Sequence, residues 1–368
     1  MPSAETPKPE GPWTLRVPRI PSSPSIATAE APPNIALIKY WGVRDERLGL
    51  PYNSSFSVTL DRFHSRTTVE FSAGVPDDHF VLNRRVQEGP PRDAVVAMLD
   101  RVRAAARRRD FAEVRSSNNF PTASGLASSA SGFAALALAA SEAAGLDWNA
   151  EKVSQLARYG SGSACRSLFG GFVEWRAGTR SDGEDCYAHS VFREGHWPEL
   201  IDFVTLLLDA PTKQIRSSVA MQRTVATAPG YARRVEEVPE RLRAMIAAIR
   251  ARDAPKLFGL VIEECDSFRS VCEASDPPLD YLTRTSREIL DVVRTVNRDA
   301  GEPIVGYTHD AGAHLHLFTL QEHEATLRGA LRHQRGIRQR LVLRPGPGAR
   351  RIATGTGGEA DPNPVPLA

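Results

Sequence analysis

The sequence predicts an α+β fold. Strand-like and helix-like segments mix along the 368 residues without the regular βαβ spacing that a doubly wound parallel sheet requires. No internal repeat of fixed period is visible, which argues against solenoids and propellers. The chain also exceeds the usual size of a single core, so one large or two intimately packed domains are expected.

The elements follow in order. Residues 1–24 are dense in Pro and Ser; they cannot form regular ladders and are expected to be a flexible arm. TTVEFSA (Thr67–Ala73) and GFVEWRAG (Gly171–Gly178) have strand composition, whereas Arg92–Arg109, Ser131–Ala144 and Ala150–Tyr159 read as helices. The segment after Ser131 is rich in Ala and Leu on nearly every side, the pattern of a buried helix. From Ile201, IDFVTLLLD reads as a buried strand. Helices are expected over Val238–Arg252, Ala254–Arg269 and Leu279–Asn297, then strands at IVGYTHD and AHLHLFTL. The Pro- and Gly-rich residues 344–368 read as a second flexible tail.

Composition excludes some classes of function. With 41% hydrophobic and 24% charged residues and a formal net charge of +2, nothing draws the chain generally toward nucleic acid or a membrane surface. The basic run Arg101–Arg109 continues an amphipathic pattern from Val95, Val96 and Leu99 and reads as a solvated helix face. Four widely spaced cysteines without a CxxC pair fit reduced thiols in a cytoplasm. No apolar run approaches the roughly 20 residues of a membrane span, and the N-terminus lacks a signal-peptide core.

Three stretches carry an unusual texture. NNFPTASGLASSASG (Asn118–Gly132) leads into the buried helix with small and hydroxyl residues. Such a helix start could take a phosphate against its unpaired N–H groups, or Ser128, Ser129 or Ser131 could simply cap it. GxxxxGK[ST], GxGxxG after a strand, HExxH and GxSxG are missing, so any nucleotide site uses a different loop. Ala31–Asp61 places Lys39 and Tyr40 on an otherwise apolar run, and Arg158–Trp175 embeds Arg166 among Gly, Ser, Ala and Cys. Cations in buried surroundings need anionic partners, from internal carboxylates or from a ligand. Taken one at a time, Lys39 could snorkel, Arg166 could pair with a structural carboxylate, and Asp310 could be a turn residue before Gly312.

Together these strings resemble the diphosphomevalonate decarboxylases of the GHMP kinase superfamily. NIALIKYWG, LPYNSSFSVTL, NNFPTASGLASSAS, GSGSACRSLFGGFVEW, SSVAMQRTV and YTHDAGAHLHLF occur in the family's order, over roughly Ser25 to Leu343. The resemblance implies a GHMP kinase fold: an N-terminal domain over 25–200, a ferredoxin-like C-terminal domain over 201–343, and an active site in the cleft between them. It implies ATP and Mg2+, and a reaction in which the C3 hydroxyl of a 3-hydroxy acid is phosphorylated, phosphate leaves and carbon dioxide is lost to give an alkene. The first expectation is 5-diphosphomevalonate going to isopentenyl diphosphate, in a cytoplasmic homodimer.

By the same resemblance, Asp310 is the catalytic carboxylate that orients or deprotonates the C3 hydroxyl, and Arg166 holds the substrate carboxylate. Lys39 neutralises charge near the transferred phosphoryl group, and Asn34 and Tyr40 position these groups. Ser161, Ser163, Ser217 and Ser218 fall in the substrate strings. Pro121, Ser124, Gly125, Ala127, Ser128 and Ser129 fall in the ATP loop, with Ser128 as the metal candidate.

Two departures bear on the substrate. Val43 stands where the family's KYWGK has a lysine for the diphosphate tail, and Arg44, Arg216 or Arg223 would have to compensate. Ala313-His314 replaces the Pro-Asn of DAGPN, and His309 adds an imidazole. His309, Asp310, His314 and His316 could be read as a metal cluster, but their spacing matches no familiar ligand set; His316 reads as a core-facing strand residue. The alternatives kept open are the same chemistry on 5-phosphomevalonate or another 3-hydroxy acid, a kinase that stops at phosphorylation, and a non-catalytic binding protein.

Overall fold

A computed structural model describes residues 25–120, 128–211 and 215–353. Its strands are β1 (Ile26–Ala31), β2 (Asn34–Ile38), β3 (Val43–Asp45), β4 (Leu50–Pro51), β5 (Ser55–Thr59), β6 (Ser65–Ser72), β7 (His79–Leu82), β8 (Arg85–Val86), β9 (Phe111–Asn118), β10 (Phe172–Trp175), β11 (Ala188–Phe192), β12 (Leu200–Leu207), β13 (Val305–Thr308), β14 (Leu315–Leu320), β15 (Ile337–Leu343) and β16 (Arg350–Ile352). The helices are α1 (Pro90–Ala106), α2 (Ser128–Ala143), α3 (Ala150–Gly160), α4 (Ala164–Ser167), α5 (Ser217–Thr227), α6 (Tyr231–Ala251), α7 (Ala254–Glu273), α8 (Arg284–Ala300) and α9 (Glu324–Ala330).

In the N-terminal half, a six-stranded sheet runs β16-β1-β6-β9-β7-β8. In β6, buried and half-buried residues alternate strictly, and Val69 and Phe71 on its inner face join the core formed with α1, α2 and α3. α2 contributes Ala134 to Ala140 to that core without interruption, as its nearly uniform apolar sequence requires. A second sheet, β11-β10-β5-β2, stands beside it.

The C-terminal half is built on the sheet β13-β14-β12-β15. β12 is buried at every position, because both of its faces are covered. Phe203 and Leu207 pack among α8 residues, while Val204 and Leu206 join a core that includes Ile35, Leu37 and Phe56 of the first half with Leu257 and Val261 of α7. The two halves therefore share an apolar core.

Three sequence expectations need correction. The flexible tail does not begin at 344: Leu60 bridges to Pro345, and β16 pairs antiparallel with β1, Glu30 opposite Arg350. The Gly-Pro composition serves close packing there, since a Cβ on Gly346 or Gly348 would collide with the backbone of Asp61 or Gly170. Residues 354–368 and the N-terminal arm lie outside the described residues.

The basic run is also not solvated throughout. Arg103 is buried and makes two 2.8 Å hydrogen bonds to Asp78. Helix boundaries move as well. α6 begins at Tyr231 and carries Pro239 inside it. α8 begins only at Arg284, where Thr283 and Ser286 form a capping box.

Candidate active site

Lys39 follows β2 directly, and its main chain is held on both sides. Its N–H donates to Glu264 Oε1 at 2.9 Å, and its carbonyl accepts from Asn53 Nδ2 at 3.0 Å. Glu264, on α7, is fully buried and bonded by Arg241 Nη1 at 2.8 Å and by Arg234. The side chain of Lys39 is thereby presented at a fixed height above the shared core, where Nζ meets Asp310 Oδ1 at 2.9 Å.

Asp310 leaves the end of β13 with its side chain 38% exposed, against 4% for Lys39. Burial alone would raise its pKa, but the ammonium of Lys39, then the charges of His316 and Arg166, hold it below the ordinary carboxylate value. It is an ionised carboxylate at neutral pH, with its free edge open to a ligand.

Arg166, on α4, is 3% exposed. Its hydrogen bonds among the described residues go to neutral side chains: Nε donates to Asn34 Oδ1 at 3.1 Å and Nη1 to Ser55 Oγ at 2.6 Å. Asn34 is fixed in turn by Ser163 O at 3.2 Å and Ser167 Oγ at 2.8 Å. Burial lowers the guanidinium to about 10, with the charge of Asp310 opposing that, so it remains a cation. A buried guanidinium with neutral partners retains capacity for a ligand carboxylate.

The small residues around Arg166 have a purpose that composition alone did not reveal. Gly162 lets the ring of Tyr40 lie against the chain, and a Cβ there would overlap it. Tyr40 packs edge-on to Trp175 with centroids 4.8 Å apart, and burial pushes its phenol upward. Ser161 Oγ and Ser163 Oγ lie 3.2 Å apart on the same turn. Gly42, at φ 112°, leaves room for the hydroxyl of Tyr231, which donates to Trp41 O at 2.8 Å.

The histidines do not form a metal cluster; no group of three or more ligand side chains suited to a metal occurs among the described residues. His309 is buried, with Nδ1 2.7 Å from Asp310 O, and burial and Lys39 lower it to about 4. Because the carbonyl only accepts, Nδ1 of this neutral ring donates. His314 is lowered to about 4, chiefly by burial, and its Nδ1 accepts from Leu207 N at 3.0 Å. His316 is core-facing, as expected, but it bonds Asp202 instead of packing as an apolar residue would.

At the nucleotide side, Pro121, Ser124, Gly125 and Ala127 lie outside the described residues. Ser128 and Ser129 open the 16-residue helix α2, half-buried and exposed respectively. Ser131 is turned inward, bonded to Ser65 Oγ at 2.7 Å, which removes it as a ligand. The helix start presents N–H groups and the hydroxyls of Ser128 and Ser129, a combination that suits an anion.

For the tail of a substrate, Val43 lies on β3 opposite Pro51. Arg44 is engaged by main-chain carbonyls: those of Pro51 at 3.1 Å, Ala177 at 3.1 Å and Gly178 at 3.2 Å. Arg223 is engaged with Pro277 O at 3.3 Å. Arg216 stands exposed at the start of α5, beside Ser217 and the exposed Ser218.

Sequence reasoning missed Glu264, Asn53 and Ser55. Asn53 and Ser55 sit inside the quoted LPYNSSFSVTL and were visible as polar residues in a buried run. Glu264 gave no local signal beyond an acidic residue in a helix, because its partners are 225, 30 and 23 positions away.

Two family profiles match the chain: a "Diphosphomevalonate decarboxylase-like N-terminal domain" over residues 31–188 and a "Mevalonate 5-diphosphate decarboxylase C-terminal domain" over 203–342. The diphosphomevalonate decarboxylase of Rattus norvegicus is 41% identical over 326 residues, 84% of this chain and 80% of that one. Among solved structures, a complex described as MDDEF with MVAPP, AMPPCP and magnesium superposes with a TM-score of 0.83 at 36% identity, covering 89% of this chain and 99% of the other. The mevalonate diphosphate decarboxylase of Enterococcus faecalis gives 0.82 at 36% identity with the same coverage.

Proposed function

Because this chain belongs to the diphosphomevalonate decarboxylase family, we propose that the Lys39–Asp310–Arg166 cluster is its active site. The protein is an ATP-dependent decarboxylase that converts mevalonate 5-diphosphate to isopentenyl diphosphate, with ATP and Mg2+. The observation that carries the site assignment is the 2.9 Å pairing of Lys39 with an open, ionised Asp310 in front of a buried arginine whose bonded neighbours are neutral.

In this reading Asp310 accepts the proton of the C3 hydroxyl while Lys39, 2.9 Å away, offsets the charge that gathers as the oxygen attacks a phosphoryl group in line. ATP supplies that phosphoryl group, and a divalent cation would neutralise its oxygens. Ser128 and Ser129, at the start of α2, would hold the phosphates, with Ser128 the candidate toward the metal. Arg166 grips the substrate carboxylate with its planar fork, while Asn34 and Ser55 prevent that fork from rotating. Departure of phosphate leaves C3 electron-poor. The carbon–carbon bond to the carboxylate then breaks, its electron pair forms the alkene, and carbon dioxide leaves from Arg166. Tyr40, Ser161, Ser163, Ser217 and Ser218 would line the remainder of the substrate.

Purified protein with Mg2+-ATP and, separately, mevalonate, 5-phosphomevalonate and 5-diphosphomevalonate tests the reading. ADP, phosphate and carbon dioxide are expected in equal amounts with the diphosphate. ADP without carbon dioxide would reduce it to a kinase, and release with the monophosphate alone would move the substrate.

The tail site gives a second test. Val43→Lys is expected to lower KM for the diphosphate by about 3- to 10-fold, the scale of a partly exposed ion pair with a multiply charged group, with kcat little changed. An unchanged KM would mean that another cation, with Arg216 first in line, already serves the tail. The homodimer and the cytoplasmic setting are read from the resemblance. Sedimentation equilibrium at a monomer mass would remove the dimer. No helix among the described residues is long and apolar enough to cross a membrane.

A further inference from the structure

Asp202 on β12 and His316 on β14 form a buried pair, Oδ2 to Nδ1 at 2.6 Å, with side chains 1% and 2% exposed. Residues paired across a sheet share a face. Asp202 is opposite Phe318, and His316 is opposite both Val204 and Thr308. Val204 and Phe318 belong to the core shared with β2 and β5, so the pair faces that shared core and not α8. A carboxylate only accepts, hence Nδ1 carries the proton and Asp202 fixes the ring. As a source of stability such a pair is weak; two apolar residues of similar size would serve as well or better.

Its position gives it another use. Asp310 lies two residues beyond Thr308, which is opposite His316. The imidazole therefore stands on the strand adjacent to the one from whose end Asp310 emerges. Other groups around Asp310 are Lys39, just after β2, Arg166 from α4 and His309 beside it on the chain; His314 immediately precedes the imidazole's strand. His309 and His314 are neutral rings, each lowered to about 4. Glu264 on α7 is occupied by Arg234, Arg241 and the Lys39 main chain, and Arg269 on the same helix pairs with Asp266 and Glu273.

We propose that Asp202 and His316 are positioning residues for the reaction: Asp202 fixes the imidazole, and protonated His316 is the second cation, behind Lys39, facing the Asp310 carboxylate. The direction of the Asp310 shift agrees, with burial opposed first by Lys39 and next by His316. The inference rests on Asp310 being the base, and its test is separable from that assignment.

Histidine resonances of the full chain are titrated by NMR in the parent and in Asp310→Asn, with His316 identified through His316→Gln. Removing the facing charge is expected to lower the His316 midpoint by about one pH unit, the scale of coupling between facing opposite charges in a partly buried site. A midpoint that stays within about 0.2 units overturns the proposal, whatever happens to turnover. Turnover of Asp310→Asn tests the base assignment by itself. The second arm is the double variant Asp202→Val/His316→Val. If the pair tunes Asp310, the ratio of its kcat to the parent's changes about 3- to 10-fold between pH 5.5 and 8.5, tracing one imidazole. Substrate ionisations cancel in that ratio, and a flat ratio would return the pair to a structural role.

Discussion

Asp310→Asn is expected to lower kcat by about 10²- to 10⁴-fold, the range a positioned general base supplies, while the protein stays folded. The change is nearly isosteric, and the side chain sits 38% exposed, so no cavity forms. What is lost is a charge. Lys39, 4% exposed, keeps its ammonium without a carboxylate opposite, and the C3 hydroxyl loses its acceptor. KM should move less than kcat, because Arg166 and the serines are untouched. Stability follows the linkage sign: the folded pKa of Asp310 lies below its unfolded value, so its contribution is present above about pH 4 and is lost as pH falls through the folded value. The parent should therefore exceed the variant in unfolding free energy at pH 7 and converge with it in acid. Steady-state kinetics and urea unfolding at both pH values check this. A kcat within threefold of the parent would remove Asp310 from its role.

Much of this site was legible because its parts are local strings. KYWG, GSGSACRS and YTHDAG each carry a polar residue in surroundings too small or too apolar to account for it, and folding brings Lys39, Arg166 and Asp310 to one place. The α+β class was legible in the same way, since β12 and α2 announce burial through mostly apolar composition. What stayed hidden has partners distant in sequence. Nothing near Asp202 signals that a histidine 114 positions on will meet it. Nothing in the Gly-Pro run after Leu343 signals that it lies against Thr59 and Gly171, with Gly346 N donating to Thr59 O at 2.8 Å and Gly171 N to Gly346 O at 2.9 Å. Periodicity reports which face of an element is buried, and pairing across 100 residues is decided by register and packing.

Glu264 shows how much can rest on such a hidden partner. Glu264→Ala is expected to cost about 3–5 kcal/mol, the loss found when one member of a buried ion network is removed, because Arg234 and Arg241 are 3% and 7% exposed and would keep their charges without this carboxylate. Arg241 retains Glu263 at 2.9 Å and Glu237 at 3.6 Å as partial substitutes, whereas the side chain of Arg234 retains only the hydroxyl of Ser267 at 2.8 Å among the described residues. The same change releases the N–H of Lys39, so the ammonium loses the anchor that sets its height beside Asp310. Activity should therefore fall further than stability explains. The comparison is made on folded protein below the unfolding transition, against Glu264→Gln. Glutamine can still accept the Lys39 N–H but brings no charge to the arginines, so it should lose stability and recover most of the turnover. If Ala and Gln variants lose turnover equally at matched folded fractions, the anchor is not what Lys39 depends on. If Glu264→Ala unfolds within about 1 kcal/mol of the parent, the arginines have found other partners and the network is not one unit.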